Sequence, residues 1–137
     1  GSEPWLISIG NHTEVSFDVA FITHDGATWC FRDQDEYKGT LKFGRIRIGN
    51  NCFIGARSTI LPGVTIGDNS IVAVGAVVNK SIPSGEVWGG VPAHYIMKTK
   101  DYADKCKENT PIYDLENYRK NFREEVNLIC DRMEHSM

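Results

Sequence analysis

A chain of 137 residues holds one domain with an appendage. Its 41% apolar and 24% charged residues are ordinary for a globular protein. A net charge of −3 argues against a nucleic-acid binder with a basic face, and no apolar run approaches the length of a membrane span.

The chain opens on Gly1-Ser2 and not on Met, so these residues are either a cloning remnant or the start of a piece of a longer product; nothing reads as a signal peptide. Ile9, Val15 and Phe21 are spaced by six, with Gly10 and Asp18 fitting the columns beside them. Phe21 and Ile48 are not a whole number of beats apart, so a segment is inserted between them. The stretch from about 25 to 44 carries Gly26, Gly39 and Gly44 among the acidic Asp33, Asp35 and Glu36. It reads as a loop thrown out from a corner, and long loops in compact domains tend to be functional.

From Ile48 the beat of six is unbroken: Ile48, Ile54, Ile60, Ile66, Val72 and Val78. One place after each come Gly49, Gly55, Leu61, Gly67, Ala73 and Asn79, mostly small. Three places after come Asn51, Arg57, Gly63, Asn69, Gly75 and Ser81, four of them Asn or Gly. Such a period fits neither an amphipathic helix nor an alternating strand. It fits short strands joined by sharp corners and stacked as the rungs of a parallel coil. The aliphatics point inward, where only the rungs above and below can bury them. The Asn/Gly column supplies the left-handed backbone that a corner needs. The coil is expected to close around Pro83 after about three turns, roughly 15 Å tall at ~4.8 Å per rung. So small a core points to support from neighbouring copies.

After Gly90-Val91-Pro92 the beat stops. Thr99 is positioned to cap a short helix through about Cys106, and Pro111 breaks the chain. Asp114 is then a good N-cap for an amphipathic helix with the stripe Leu115, Tyr118, Phe122, Val126, Ile129 and Met133. Glu116 and Lys120 form a favourable i,i+4 pair. The stripe is expected to pack on the coil or on a neighbouring subunit. Cys30, Cys52, Cys106 and Cys130 lack C-x-x-C spacing and read as free thiols in a reducing compartment, with Cys52 a small apolar filler.

His24 falls three places after Phe21, in the corner column and immediately before the inserted loop. An imidazole there projects from an edge of the coil. Alone, such a His is more often a surface or packing residue.

The run from Ile48 to Lys98, with "PGVTIGDNSIV" followed by "GGVPA", and the segment "FITHDGA" around His24 resemble the hexapeptide-repeat acyltransferases. The likeness covers residues 5 to 98 and is strongest to the maltose, galactoside, xenobiotic and surface-polysaccharide O-acetyltransferases. It implies a left-handed parallel β-helix with three hexapeptides per turn over 1–98, the loop at about 25–44 inserted, and a helical extension over 99–137. It implies a cytoplasmic homotrimer that takes acetyl-CoA and acetylates a carbohydrate hydroxyl in polysaccharide or glycoconjugate synthesis, without a metal.

By the same resemblance His24 is the general base, and the Ala56 N–H faces the oxyanion. Ala56, Val74, Asn79 and Lys80 are the coenzyme A positions, with Gly75 letting the pantetheine arm come close, Lys80 meeting a phosphate as a point charge, and Lys98 or Lys100 meeting the nucleotide phosphates. Asp25, adjacent to His24, is the candidate to orient its ring. Three departures stand out. Thr40 occupies the place of the family's late-loop glutamate, and His94 and Met97 replace the usual arginines. Nothing before Pro4 matches the substrate-binding Asn and Asp of the maltose and galactoside members.

Three other readings share the coil. One is N-acylation of an amino sugar on a nucleotide, which needs the same base and thioester. Another is a zinc enzyme of the γ-carbonic-anhydrase type, for which His12 and His24 lie 12 apart, not at that family's spacing. The last is a non-catalytic trimeric scaffold.

Overall fold

The structure, a computed structural model, describes residues 2–135. Among them nine short strands follow one another in chain order: β1 (Ile7–Ile9), β2 (Glu14–Val15), β3 (Ala20–Phe21), β4 (Ile46–Ile48), β5 (Phe53–Ile54), β6 (Thr59–Ile60), β7 (Thr65–Ile66), β8 (Ile71–Val72) and β9 (Val77–Val78). Each pairs in parallel with the third strand on, so that β1-β4-β7, β2-β5-β8 and β3-β6-β9 make three faces of one coil. None of these nine shares a sheet with its neighbour in sequence, because such short strands, separated by tight corners, turn onto a new face at every beat.

The register measures the turn. Ile48 lies opposite Ile66, Ile54 opposite Val72 and Ile60 opposite Val78, each three beats further along the chain. In the first turn Ile9 pairs with Ile48, Val15 with Ile54 and Phe21 with Ile60, at more than twice that separation. The surplus is the inserted loop. Ile54, Ile60, Ile66, Val72 and Val78 are completely buried, as the inward column requires. Ile9, on the first rung, has a neighbour on one side only and stays exposed.

The corners follow the expected column. His12, Asp18, Asn51, Arg57 and Asn69 adopt φ between 53° and 60°, and Gly63 and Gly75 lie at 84° and 71°. One corner is stitched by side chains: His12 Nδ1–H donates to Asn51 Oδ1, and Asn51 Nδ2 donates to Asn69 Oδ1, both at 2.7 Å.

The small column has a different cause. A methyl added at Gly55 would sit 2.6 Å from the Val74 nitrogen and 2.7 Å from the Val72 carbonyl oxygen of the next rung. Backbone cannot yield there as a side-chain tip would. Gly55→Ala should therefore cost about 1–3 kcal/mol, read as a lower urea midpoint at fixed protein concentration. An unchanged midpoint would mean that the rungs are not so closely stacked.

The coil does not close at Pro83. Ile82 bridges Ile66 and Trp88 pairs with Val72, each falling short of three full beats, so the repeat contracts after Val78. Ser81 accordingly lacks the left-handed conformation of its column. Strand β10 (Glu86–Gly90) adds a further rung to the second face, and β11 (Ala93–Lys98) covers it in antiparallel pairing. Trp88 packs against the core and donates from Nε1 to Glu86 Oε1 at 2.9 Å.

The chain divides into two compact units, the first ending at Lys100 and the second beginning at Asp101. The helices are α1 (Thr99–Asn109), α2 (Leu115–Lys120) and α3 (Phe122–His135). Asp114 caps α2 through the Asn117 N–H, and Lys120 reaches Glu116 at 2.7 Å. The single helix expected from the stripe is broken at Asn121 (φ −128°, ψ 63°). Buried Glu125 accounts for the break, accepting from Asp114 N–H and Asn117 Nδ2 and so folding α3 back on α2. Among the described residues no helix is long and apolar enough to cross a membrane.

Candidate active site

Strand β3 ends at Phe21, and three residues later, where other rungs turn left-handed, His24 does not. It instead bridges Phe43 in antiparallel register, flanked by Asp25 N–H to Lys42 O and Gly44 N–H to Thr23 O, both 2.9 Å. The inserted loop therefore leaves and returns through a two-stranded stem, and His24 is fixed on its outgoing side. The imidazole is half-exposed, with the Phe43 ring centroid 5.6 Å from its own.

The partner of His24 comes from the start of the chain. Its Nδ1 lies 2.7 Å from Glu3 Oε1, and Thr23 Oγ1 donates to the same oxygen at 2.9 Å. Glu3 is buried and precedes a short 3-10 turn, Pro4–Leu6, that begins the first rung. The hydrogen bond from His24 holds the Glu3 carboxyl below the usual carboxylate range; burial opposes this, and the Thr23 hydrogen bond reinforces it. An ionised carboxylate only accepts, so Nδ1 carries the proton, and in the neutral ring the Nε2 lone pair is left for chemistry.

Asp25, the residue expected to orient the ring, makes other contacts in this structure. Its Oδ1 accepts from the Ala27 N–H at 2.8 Å, capping the 3-10 turn Gly26–Cys30, and its Oδ2 lies 3.8 Å from Lys42 Nζ. Neighbouring residues on an extended stem point apart, which turns Asp25 away from the ring's Nδ1. Glu3 was missed, although the sequence carried a signal. It stands one beat before Ile9 and three before Phe21, a charged residue in the inward aliphatic column.

A cleft of about 510 Å³ opens beside His24, with Asp25, Gly26 and Lys42 on the loop side and Leu61, Pro62 and Asn79 on the coil side. Of the predicted site residues, His24, Asp25 and Asn79 meet there, and Lys80 follows Asn79 at the same corner. Ala56, Val74 and Gly75 lie on another edge, the corner after β5 and β8, where Gly75 N–H donates to Ala56 O at 2.8 Å. Val74 is largely exposed on that edge. Lys98, on β11, is paired with Glu86 Oε2 at 3.0 Å. One copy of the chain thus divides these groups between two edges. His12 belongs to the Asn51–Asn69 corner, away from His24, and among the described residues no group of three or more His, Cys, Asp or Glu is placed to hold a metal ion.

The family description "hexapeptide repeat of succinyl-transferase" matches residues 45–80. Protein CapG of Staphylococcus aureus is 48% identical over 118 residues, which cover 86% of this chain and 67% of that protein. A hexapeptide-repeat acetyltransferase from Vibrio cholerae O1 biovar eltor, solved with acetyl coenzyme A, superposes with a TM-score of 0.57 at 32% identity, over 69% of this chain and 50% of its own. A galactoside acetyltransferase solved with coenzyme A gives 0.55 at 28% identity, over 72% and 58%. The chain thus spans between half and two thirds of the length of these relatives.

Proposed function

Because the chain belongs to the hexapeptide-repeat acyltransferases, we propose that it moves an acetyl group from acetyl-CoA to a carbohydrate hydroxyl, with His24 as general base. The observation that carries this reading is the Glu3–His24 hydrogen bond beside a cleft, which leaves the Nε2 lone pair of the neutral ring available. A sugar hydroxyl is too weak an acid to ionise near neutral pH, so its proton must leave as its oxygen attacks the thioester carbonyl. His24 Nε2 takes that proton, and the tetrahedral oxyanion forms with the imidazolium held against Glu3. As the oxyanion collapses the carbon–sulfur bond breaks, and the imidazolium returns its proton to the departing thiolate. No covalent acyl-enzyme is needed. The Ala56 N–H is the proposed oxyanion donor.

The division of candidate groups between two edges supports a homotrimer, in which the His24 edge of one copy faces the Ala56–Val74–Gly75 edge of the next. Val74, apolar and exposed, suits such a seam. We read the coil as left-handed like that of the family, residues 1–98 as the acyltransferase part and the helices as its extension. The need for acetyl-CoA argues for a cytoplasmic reaction, and surface polysaccharide or glycoconjugate synthesis is the process it fits. Asn79 and Lys80 at the cleft corner and Lys98 on β11 remain the proposed contacts to coenzyme A.

A panel of pyranosides, amino sugars and a no-acceptor control, scored for acetylated product by mass, tests the assignment. Acetylation on oxygen of at least one sugar is expected, together with a trimer by sedimentation. Acetyl-CoA loss that no acceptor accelerates would sink it. Product mass is preferable to thiol reagents, since Cys30, Cys106 and Cys130 are exposed and would react as well.

A further inference from the structure

The stem of the inserted loop sets Phe43 directly across from His24, and residues opposite each other in an antiparallel bridge project to the same side. Their ring centroids are 5.6 Å apart at a tilt of 42°, and Phe43 remains 56% exposed. The ring is not part of the buried core cluster, so packing within the coil does not account for it. Among the described residues, the charged groups that touch His24 or line its cleft are two carboxylates, Glu3 and Asp25, and one cation, Lys42. Asp25 and Lys42 lie 3.8 Å apart and offset each other, and the Glu3 carboxylate is buried against His24 Nδ1, so the lining supplies no surplus positive charge for an anionic acceptor, whereas a neutral one needs none. The C–H face of a pyranose is a flat apolar surface rimmed by hydroxyls, which matches an exposed aromatic ring beside a base.

We infer that the acceptor is a neutral pyranoside whose C–H face lies on Phe43, so that one rim hydroxyl is delivered to Nε2 of His24. This rests on the acetyl-transfer reading above and adds to it the class of sugar and the surface that selects it. Phe43 then contributes to acceptor binding and leaves the acetyl donor untouched.

The test compares neutral methyl pyranosides with their uronate counterparts on the full chain, for the wild type and for Phe43→Ala, Phe43→Leu and Phe43→Trp. The neutral sugars are expected to show the higher kcat/KM. Phe43→Ala should raise the acceptor KM about tenfold and leave the acetyl-CoA KM within about twofold. Phe43→Trp should retain the wild-type KM, whereas Phe43→Leu, apolar without an aromatic face, should not. A preference for uronates, a Phe43→Leu variant equal to wild type, or a Phe43→Ala variant that alters the oligomer but not the acceptor KM overturns the inference. The wild type and His24→Ala together separate the two levels. If the wild type acetylates no sugar of either charge, the acetyl-transfer reading itself fails, and if His24→Ala leaves turnover intact, His24 is not the base. If it abolishes turnover while Phe43→Ala leaves the acceptor KM unchanged, only the neutral-pyranoside inference fails.

Discussion

Replacing His24 by Ala should lower kcat for acetyl transfer by about 10²–10⁴-fold while coenzyme A still binds. The size follows from what is lost. Without Nε2 the hydroxyl must surrender its proton to water during attack, and the imidazolium that would protonate the departing thiolate is absent. Binding should persist because the side chain is half-exposed at an edge and takes no part in the aliphatic core, so the rungs below it stay stacked. Steady-state kinetics with the best acceptor, alongside calorimetric titration of coenzyme A, measure both halves. Turnover within a few-fold of wild type would remove His24 from the reaction.

Glu3→Gln should produce the second-largest loss, roughly 10²-fold in kcat with little change in KM. The Thr23 hydroxyl accepts as well as donates, so it can still bond an amide nitrogen standing where Oε1 was, and the N-terminal turn keeps its anchor. What changes is the ring. A carboxylate accepts the Nδ1–H, but an amide nitrogen in its place donates, which favours the tautomer with the proton on Nε2 and blocks the base. The downfield Nδ1–H proton resonance should disappear in step with the rate, a signature that loss of folding alone would not give. Equal kcat in Glu3→Gln would show that the pair is only structural.

The pH dependence follows from the same contact. The Glu3 carboxyl is held below its ordinary value of 4.5, chiefly by the hydrogen bond from His24. Its contribution is therefore complete above that value and is lost only as acid carries the pH down through the lowered one. Around neutral pH Glu3 stays charged, so a fall of rate on the mildly acid side would not come from loss of its charge.

Much of the fold was legible because the beat is local and repeats. Ile54, Ile60, Ile66 and Val72 each meet the same neighbours one turn away, so their burial follows from spacing alone. The corner residues were legible for the same reason, since a left-handed φ favours Asn and Gly wherever the chain must turn. The two ends were not. Past Val78 the beat shortens and the coil continues to Trp88 under an antiparallel cover, a change visible only in the register. In the second unit, the apolar stripe concealed the break at Asn121, because a buried carboxylate on α3 and not helix periodicity decides where α2 stops.

Residue spacing was enough to specify the coil, its corners, the inserted loop and the position of His24 at the point where that loop departs. Each of these depends on residues a few places apart, and spacing records such relations directly. Three-dimensional packing was needed to show which carboxylate holds the imidazole, that Phe43 stands beside it, and that the coenzyme-side residues fall on two edges. Glu3 reaches His24 because the chain between them winds slightly more than one full turn, so that the first rung's leading residue comes to lie beneath the corner of the next. Contacts made across stacked turns depend on where the winding brings each side chain, and adjacency along the chain, which favoured Asp25, is a poor guide to them.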